Sequence, residues 1–133
     1  EPARRPGRLP PRAGLDAPGD SPLAARLARL VDQRLRLFDK ISSVGIVSRV
    51  RAPFQPLIAS ELAISRSFLR RQIEQLFEPE LTARDPADAA GSLAAIDVLT
   101  SFESLHLLQH DQQLSPAQIE ATLVRTIARL LEA

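Results

Sequence analysis

The residues that could do chemistry lie on two stretches. Glu103, His106 and His110 fall within about 60° of one another if residues 85–111 form one helix. An i, i+4 histidine pair can share a metal ion, and Glu103 could add a third ligand. No further ligand motif accompanies them, so exposed or interface-seam histidines are the favoured reading over a metal site. The second stretch runs from Phe54 to Leu76, where Glu61, Ser65 and Gln72 recur at spacings of four and seven within an arc of Phe54, Leu57, Ile58, Leu62, Phe68, Leu69, Ile73 and Leu76. A polar column flanked by apolar side chains suits a hydrophobic pocket with a few orienting hydrogen bonds. It equally suits a buried polar network or an interhelical seam.

Arg34 repeats the anomaly. It falls inside the apolar arc of Leu23, Leu27, Leu30, Val31, Leu35, Leu37, Phe38 and Ile41. A guanidinium there must reach water along its stem, pair with a carboxylate or anchor a ligand, because an unpaired buried charge costs several kcal/mol. Glu61 is the carboxylate expected opposite it. The candidate pocket residues are therefore Arg34, Phe38, Glu61, Ser65, Phe68, Gln72, Phe102 and His106. There is no Gly-rich phosphate loop, nucleophile elbow, HExxH or paired-carboxylate constellation, so no catalytic residue, metal or cofactor is assigned and an enzyme is not expected.

These residues need helices to position them. Residues 1–20, rich in proline and glycine, read as a linker or long loop, and residues 21–133 as one helical domain. Ser21–Pro22, Asp85–Pro86 and Ser115–Pro116 each place an N-cap oxygen before a proline at the first helical position, and Gln118 completes a capping box with Ser115. Helices are predicted near 22–40, 43–51, 54–78, 86–111 and 116–132, the second weakened by Gly45. The predicted fold is an all-α, five-helix bundle-like domain. In the fourth helix Ala94, Val98, Leu99, Phe102 and Leu105 form one apolar stripe, and Leu93, Ile96 and Leu107 a second. In the last helix Ile119, Leu123, Val124, Ile127, Leu130 and Leu131 span an arc wider than one neighbour needs. A second copy is expected to cover the excess, through Leu93, Ile96, Leu107, Leu123, Ile127 and Leu130 in an intersubunit four-helix bundle.

Composition sets the outer limits. The chain has 133 residues, 44% hydrophobic and 25% charged, which describes a globular domain long enough to bury a core. Without cysteine, disulfides and thiolate metal sites are excluded; with no apolar run near the ~20 residues of a membrane span, a cytoplasmic protein is expected. Residues 23–73 carry ten bases against three acids, and residues 74–133 three against ten. A basic segment can signal nucleic acid. This one has phenylalanine as its sole aromatic type and neither a stacking platform nor a recognition helix, so solvated faces that attract the acidic half are the favoured reading.

Three runs, RLRLFDKISSVGIVSRVRAP (34–53), FLRRQIEQLFEPEL (68–81) and IDVLTSFESLHLLQHDQQLSPAQIEATLVRTIARLL (96–131), resemble the C-terminal half of bacterial regulators of the tetracycline-repressor (TetR/AcrR) family. The resemblance covers residues 22–132. It implies an effector-binding and homodimerising domain whose last two helices build the intersubunit bundle. The family's N-terminal helix-turn-helix module is absent from this chain, so a small-molecule effector and a second copy are the implied partners, and operator DNA only through that missing module. The alternative from another class is a constitutive helical protein–protein interaction module without a small-molecule ligand.

Overall fold

Capping chemistry sets the helix boundaries. The computed structural model describes residues 22–132, so the linker at 1–20 and the cap at Ser21 lie outside the described residues. All regular structure within them is helical: α1 (Leu23–Lys40), α2 (Ser42–Arg51), a 3-10 turn at Ala52–Phe54, α3 (Pro56–Leu76), α4 (Glu78–Thr82), α5 (Pro86–Leu99), α6 (Phe102–His106) running into a π turn at Leu107–Asp111, and α7 (Pro116–Leu131). Asp85 Oδ2 accepts from Ala87 N, and Ser115 and Gln118 form the reciprocal capping box. Pro22 itself occupies the N-cap of α1, so the helix starts at Leu23, one residue later than predicted.

The core is built mainly where α1 lies against α7. Leu27, Leu30 and Val31 are buried together with Ile119, Leu123, Ile127 and Leu131, and Ile73, Leu76, Phe77, Leu93 and Ile96 complete the cluster from α3 and α5. Arg26 is buried at one end of this core. Its Nη1 donates to Leu76 O and Glu80 Oε1, its Nη2 donates to Glu80 Oε2 at 2.6 Å, and its guanidinium lies 5.7 Å from the Phe77 ring centroid. α4 carries that carboxylate: α3 ends at Leu76, short of the predicted 78, and a further short helix with Pro79 in its first turn follows, which the sequence reading lacked.

The predicted helix over 86–111 is divided at Thr100–Ser101. Thr100 Oγ1 donates to Ile96 O, and the Ser101 and Ser104 hydroxyls both donate to Val98 O. Ser101 then caps α6 by accepting from Ser104 N at 3.2 Å. Hydroxyls bonded to preceding carbonyls compete with the helical ladder and end it. The break changes the helical phase, and this corrects the two-stripe pattern, which assumed one continuous rod. Leu93 and Ile96, like Leu123 and Ile127, are buried in the chain's own core and unavailable to a second copy. Val98, assigned to the inner stripe, is 62% exposed, as is Leu107 at 56%, while Leu130 is half-buried.

Gln113 closes the turn before α7 with φ of 58°. The left-handed region costs an L-residue with a Cβ about 1–2 kcal/mol, part of which glycine returns as unfolded-state entropy. Gln113→Gly is therefore expected to raise stability by about 0.5–1 kcal/mol, read as a higher urea midpoint at unchanged slope.

Candidate functional site

Arg34, Phe38, Leu69, Asp97 and Phe102 converge on a cavity of about 350 Å³ at the junction of α1, α2, α3, α5 and α6. α1 supplies Arg34 and Phe38 one turn apart, and α3 supplies Leu69 and Arg66. The end of α5 supplies Asp97 and Val98; the hydroxyl-rich break and α6 supply Ser101, Phe102, Glu103 and Ser104, followed by Leu107. The cavity therefore lies where the chain breaks between α5 and α6.

Phe102 organises the aromatic wall. Its ring meets Phe38 edge-on at 5.5 Å between centroids, stacks on His106 at 5.8 Å, and has the Arg49 guanidinium 4.2 Å from its centroid. Gly45 in α2 lets this ring approach: a Cβ at that position would lie 2.7 Å from Phe102 Cε1. The glycine that weakens α2 as a helix is the residue that admits the ring. Gly45→Ala is expected to lower stability by about 1–2 kcal/mol, because overpacking against a ring held on several sides exceeds the ~1 kcal/mol helix-propensity gain. A rise in the urea midpoint for that variant would show that the ring yields freely.

The charged groups form two sets. Arg49 Nε and Arg66 Nη2 both donate to Glu103 Oε2, at 2.8 and 2.6 Å. Burial raises the Glu103 pKa, but its own backbone N–H and the two arginines outweigh that and hold the carboxyl below its ordinary value. With Arg26–Glu80, these pairs join the basic segment to the acidic one, the attraction the charge asymmetry anticipated. Arg34 stands apart. It is 1% exposed, its Nη2 donates to Leu69 O at 2.9 Å, and its Nε and Nη1 are buried without a hydrogen-bond partner. Burial pushes its pKa down to about 10, against the opposing field of Asp97. Asp97 is displaced upward by its own burial, against Arg70, Arg34 and Arg66.

Of the candidate pocket residues, Arg34, Phe38 and Phe102 line the cavity. Glu61, Ser65 and Phe68 do not: they are exposed along α3, and the expected Arg34–Glu61 pair is replaced by the bond to Leu69 O. Gln72 is half-buried with its Oε1 unsatisfied, and lies outside the cavity wall. His106 packs behind Phe102 rather than into the cavity, and its ring lies 4.5 Å from that of His110. Among the described residues, no group of three His, Cys, Asp or Glu side chains converges as a metal site. The sequence reading missed Arg49, Arg66, Asp97 and Ser104, whose signal was the excess of arginine opposite the acidic half. A second hollow of about 650 Å³ between α3, α4 and α5 is a surface groove edged by the exposed Arg70, Arg71, Glu74 and Glu78.

No family model, curated protein or solved structure matches the chain. Among the described residues no helix is long and apolar enough to cross a membrane.

Proposed function

We propose that this chain is the effector-sensing and dimerising domain of a bacterial transcriptional regulator of the tetracycline-repressor kind, in which DNA is bound by a helix-turn-helix module absent from the chain. The observation that carries the reading is the cavity of about 350 Å³, within the size range of small-molecule sites, where the apolar side chains of Phe38, Leu69, Val98, Phe102 and Leu107 stand beside charged and hydroxyl groups able to orient a ligand. Its position at the α5–α6 break supplies a mechanism. A ligand touching Val98, Ser101 and Phe102 together favours one setting of α6 relative to α5, and it shifts the equilibrium by as much as it prefers that setting. In a homodimer, this setting changes how two copies sit together and so the spacing of two DNA-binding heads. After the intrachain core is formed, the exposed Leu107 and the half-buried Leu108, Val124 and Leu130 are among the apolar residues from the π turn to α7 left for such a contact.

A constitutive protein-interaction module is the second reading. It is favoured by the exposed apolar side chains of Val44, Val47, Val50, Phe54, Leu57 and Ile64 along α2, the 3-10 turn and α3, with Phe54 83% exposed. Two measurements separate them. A metabolite screen by thermal shift is expected to find a stabilising ligand, since occupancy at 100 times Kd adds about 2.7 kcal/mol. Sedimentation velocity is expected to show a homodimer. A monomer that no small molecule stabilises would refute the sensing reading.

A further inference from the structure

We propose that the ligand of this cavity is a small organic monocarboxylate, its anionic end held by Arg34 and its apolar body lying on Phe38, Leu69, Phe102 and Leu107. This rests on the sensing reading and narrows it to one ligand class. The first reason is the state of Arg34. A guanidinium buried this deeply makes one hydrogen bond, to the neutral carbonyl of Leu69, and keeps Nε and Nη1 without acceptors. A backbone carbonyl satisfies a donor but neutralises no charge. Buried cations are normally paired, and leaving one uncompensated is strongly unfavourable. An incoming carboxylate supplies both an acceptor and the missing charge, in a charge-assisted bond about twice as strong as a neutral one.

The surroundings select one negative charge. Arg34, Arg49 and Arg66 face Asp97 and Glu103 across the cavity, three cations against two carboxylates. Arg49 and Arg66 are already engaged by Glu103. Asp97 makes no hydrogen bond to Arg34 and divides its field among Arg34, Arg66 and Arg70. A monoanion balances the remaining charge, whereas a phosphate dianion would be repelled by the two resident carboxylates. The remaining wall joins the apolar Phe38, Leu69, Val98, Phe102 and Leu107 to the hydroxyl residues Thr100, Ser101 and Ser104, and the volume stands at the small end of ligand sites.

The test uses the 133-residue chain and matched pairs of probes, octanoate with octanamide and 4-phenylbutyrate with 4-phenylbutyramide, with inorganic phosphate as a third arm, all by titration calorimetry. Each carboxylate is expected to bind at least tenfold more tightly than its amide, with phosphate no tighter than the amides. Arg34→Met is expected to erase the difference. Because that variant disturbs a buried residue, Asp97→Asn provides an independent arm: removing the competing anion is expected to tighten carboxylate binding at least threefold and leave amide binding unchanged. Amides that bind as well as carboxylates, or an Asp97→Asn variant with unaltered carboxylate affinity, overturn the ligand class and leave the sensing reading standing. Tighter binding of phosphate than of either carboxylate also overturns it. If neither member of either pair binds and the metabolite screen is empty, the sensing reading falls with it.

Discussion

Phe102→Ala is expected to lower stability by about 3–5 kcal/mol, the largest effect of any single substitution at the cavity. The ring is 5% exposed and contacts elements distant in sequence: Phe38 from α1, Arg49 and Gly45 from α2, and His106 on its own helix. Removing it loses the transfer free energy of an aromatic side chain, opens a void beside Gly45, and takes away the face over which Arg49 lies. Urea denaturation should show the midpoint falling at nearly constant slope. A loss below about 1 kcal/mol would mean that the junction of α1, α2 and α6 closes around the void, and that the cavity wall is not fixed by this ring.

Glu80→Ala is expected to cost about 3 kcal/mol. The carboxylate makes paired bonds to Arg26 at 2.8 and 2.6 Å, and the arginine is buried while Glu80 retains a little solvent access, which places the effect at the low end for a broken buried pair. The same contact gives a pH dependence whose sign is determined. The hydrogen bond from Arg26 holds the Glu80 pKa below its ordinary value of 4.5. Its contribution is therefore complete above about pH 4.5, and is lost as the pH falls through the lowered folded-state value. Native protein should lose stability steeply below pH 4.5, and Glu80→Ala should flatten that part of the profile. An unchanged profile in the variant would assign the acid sensitivity to other carboxylates, Glu103 first among them.

Local chemistry was the legible part of this fold. The starts of α5 and α7 follow from an oxygen-bearing cap before proline, a signal contained in a few consecutive residues. The anomaly of Arg34 was equally visible from its place in an apolar arc, which left open whether it reaches water, pairs or anchors a ligand. Its partner was not, because pairing depends on how far α3 is rotated against α1, and α3 turns Glu61 and Phe68 toward solvent. Periodicity also fails wherever a rod is assumed to continue. Thr100, Ser101 and Ser104 divide α5 from α6 through hydroxyl bonds to Ile96 and Val98 carbonyls, so Leu93 and Ile96 enter the core while Val98 faces outward at the cavity edge. The cue was the cluster of hydroxyl residues within an apolar run, which can disrupt a helix and also line a polar site.

Phe54, Leu57 and Phe68 teach a related lesson. Each falls where a core arc was expected, and each is exposed, because α1 and α7 pair with each other while α3 packs mainly on α5. An apolar arc records that a face needs cover without naming what covers it.

The most direct test of the sensing cavity is amide chemical-shift mapping on the ¹⁵N-labelled chain, titrated with the compound that most raises its thermal stability. The expected result is a saturable set of shifts centred on Leu69, Val98, Ser101, Phe102 and Ser104. Shifts confined to Val44, Val50, Phe54 and Leu57 on the α2–α3 face would contradict it and place binding on the interaction surface instead.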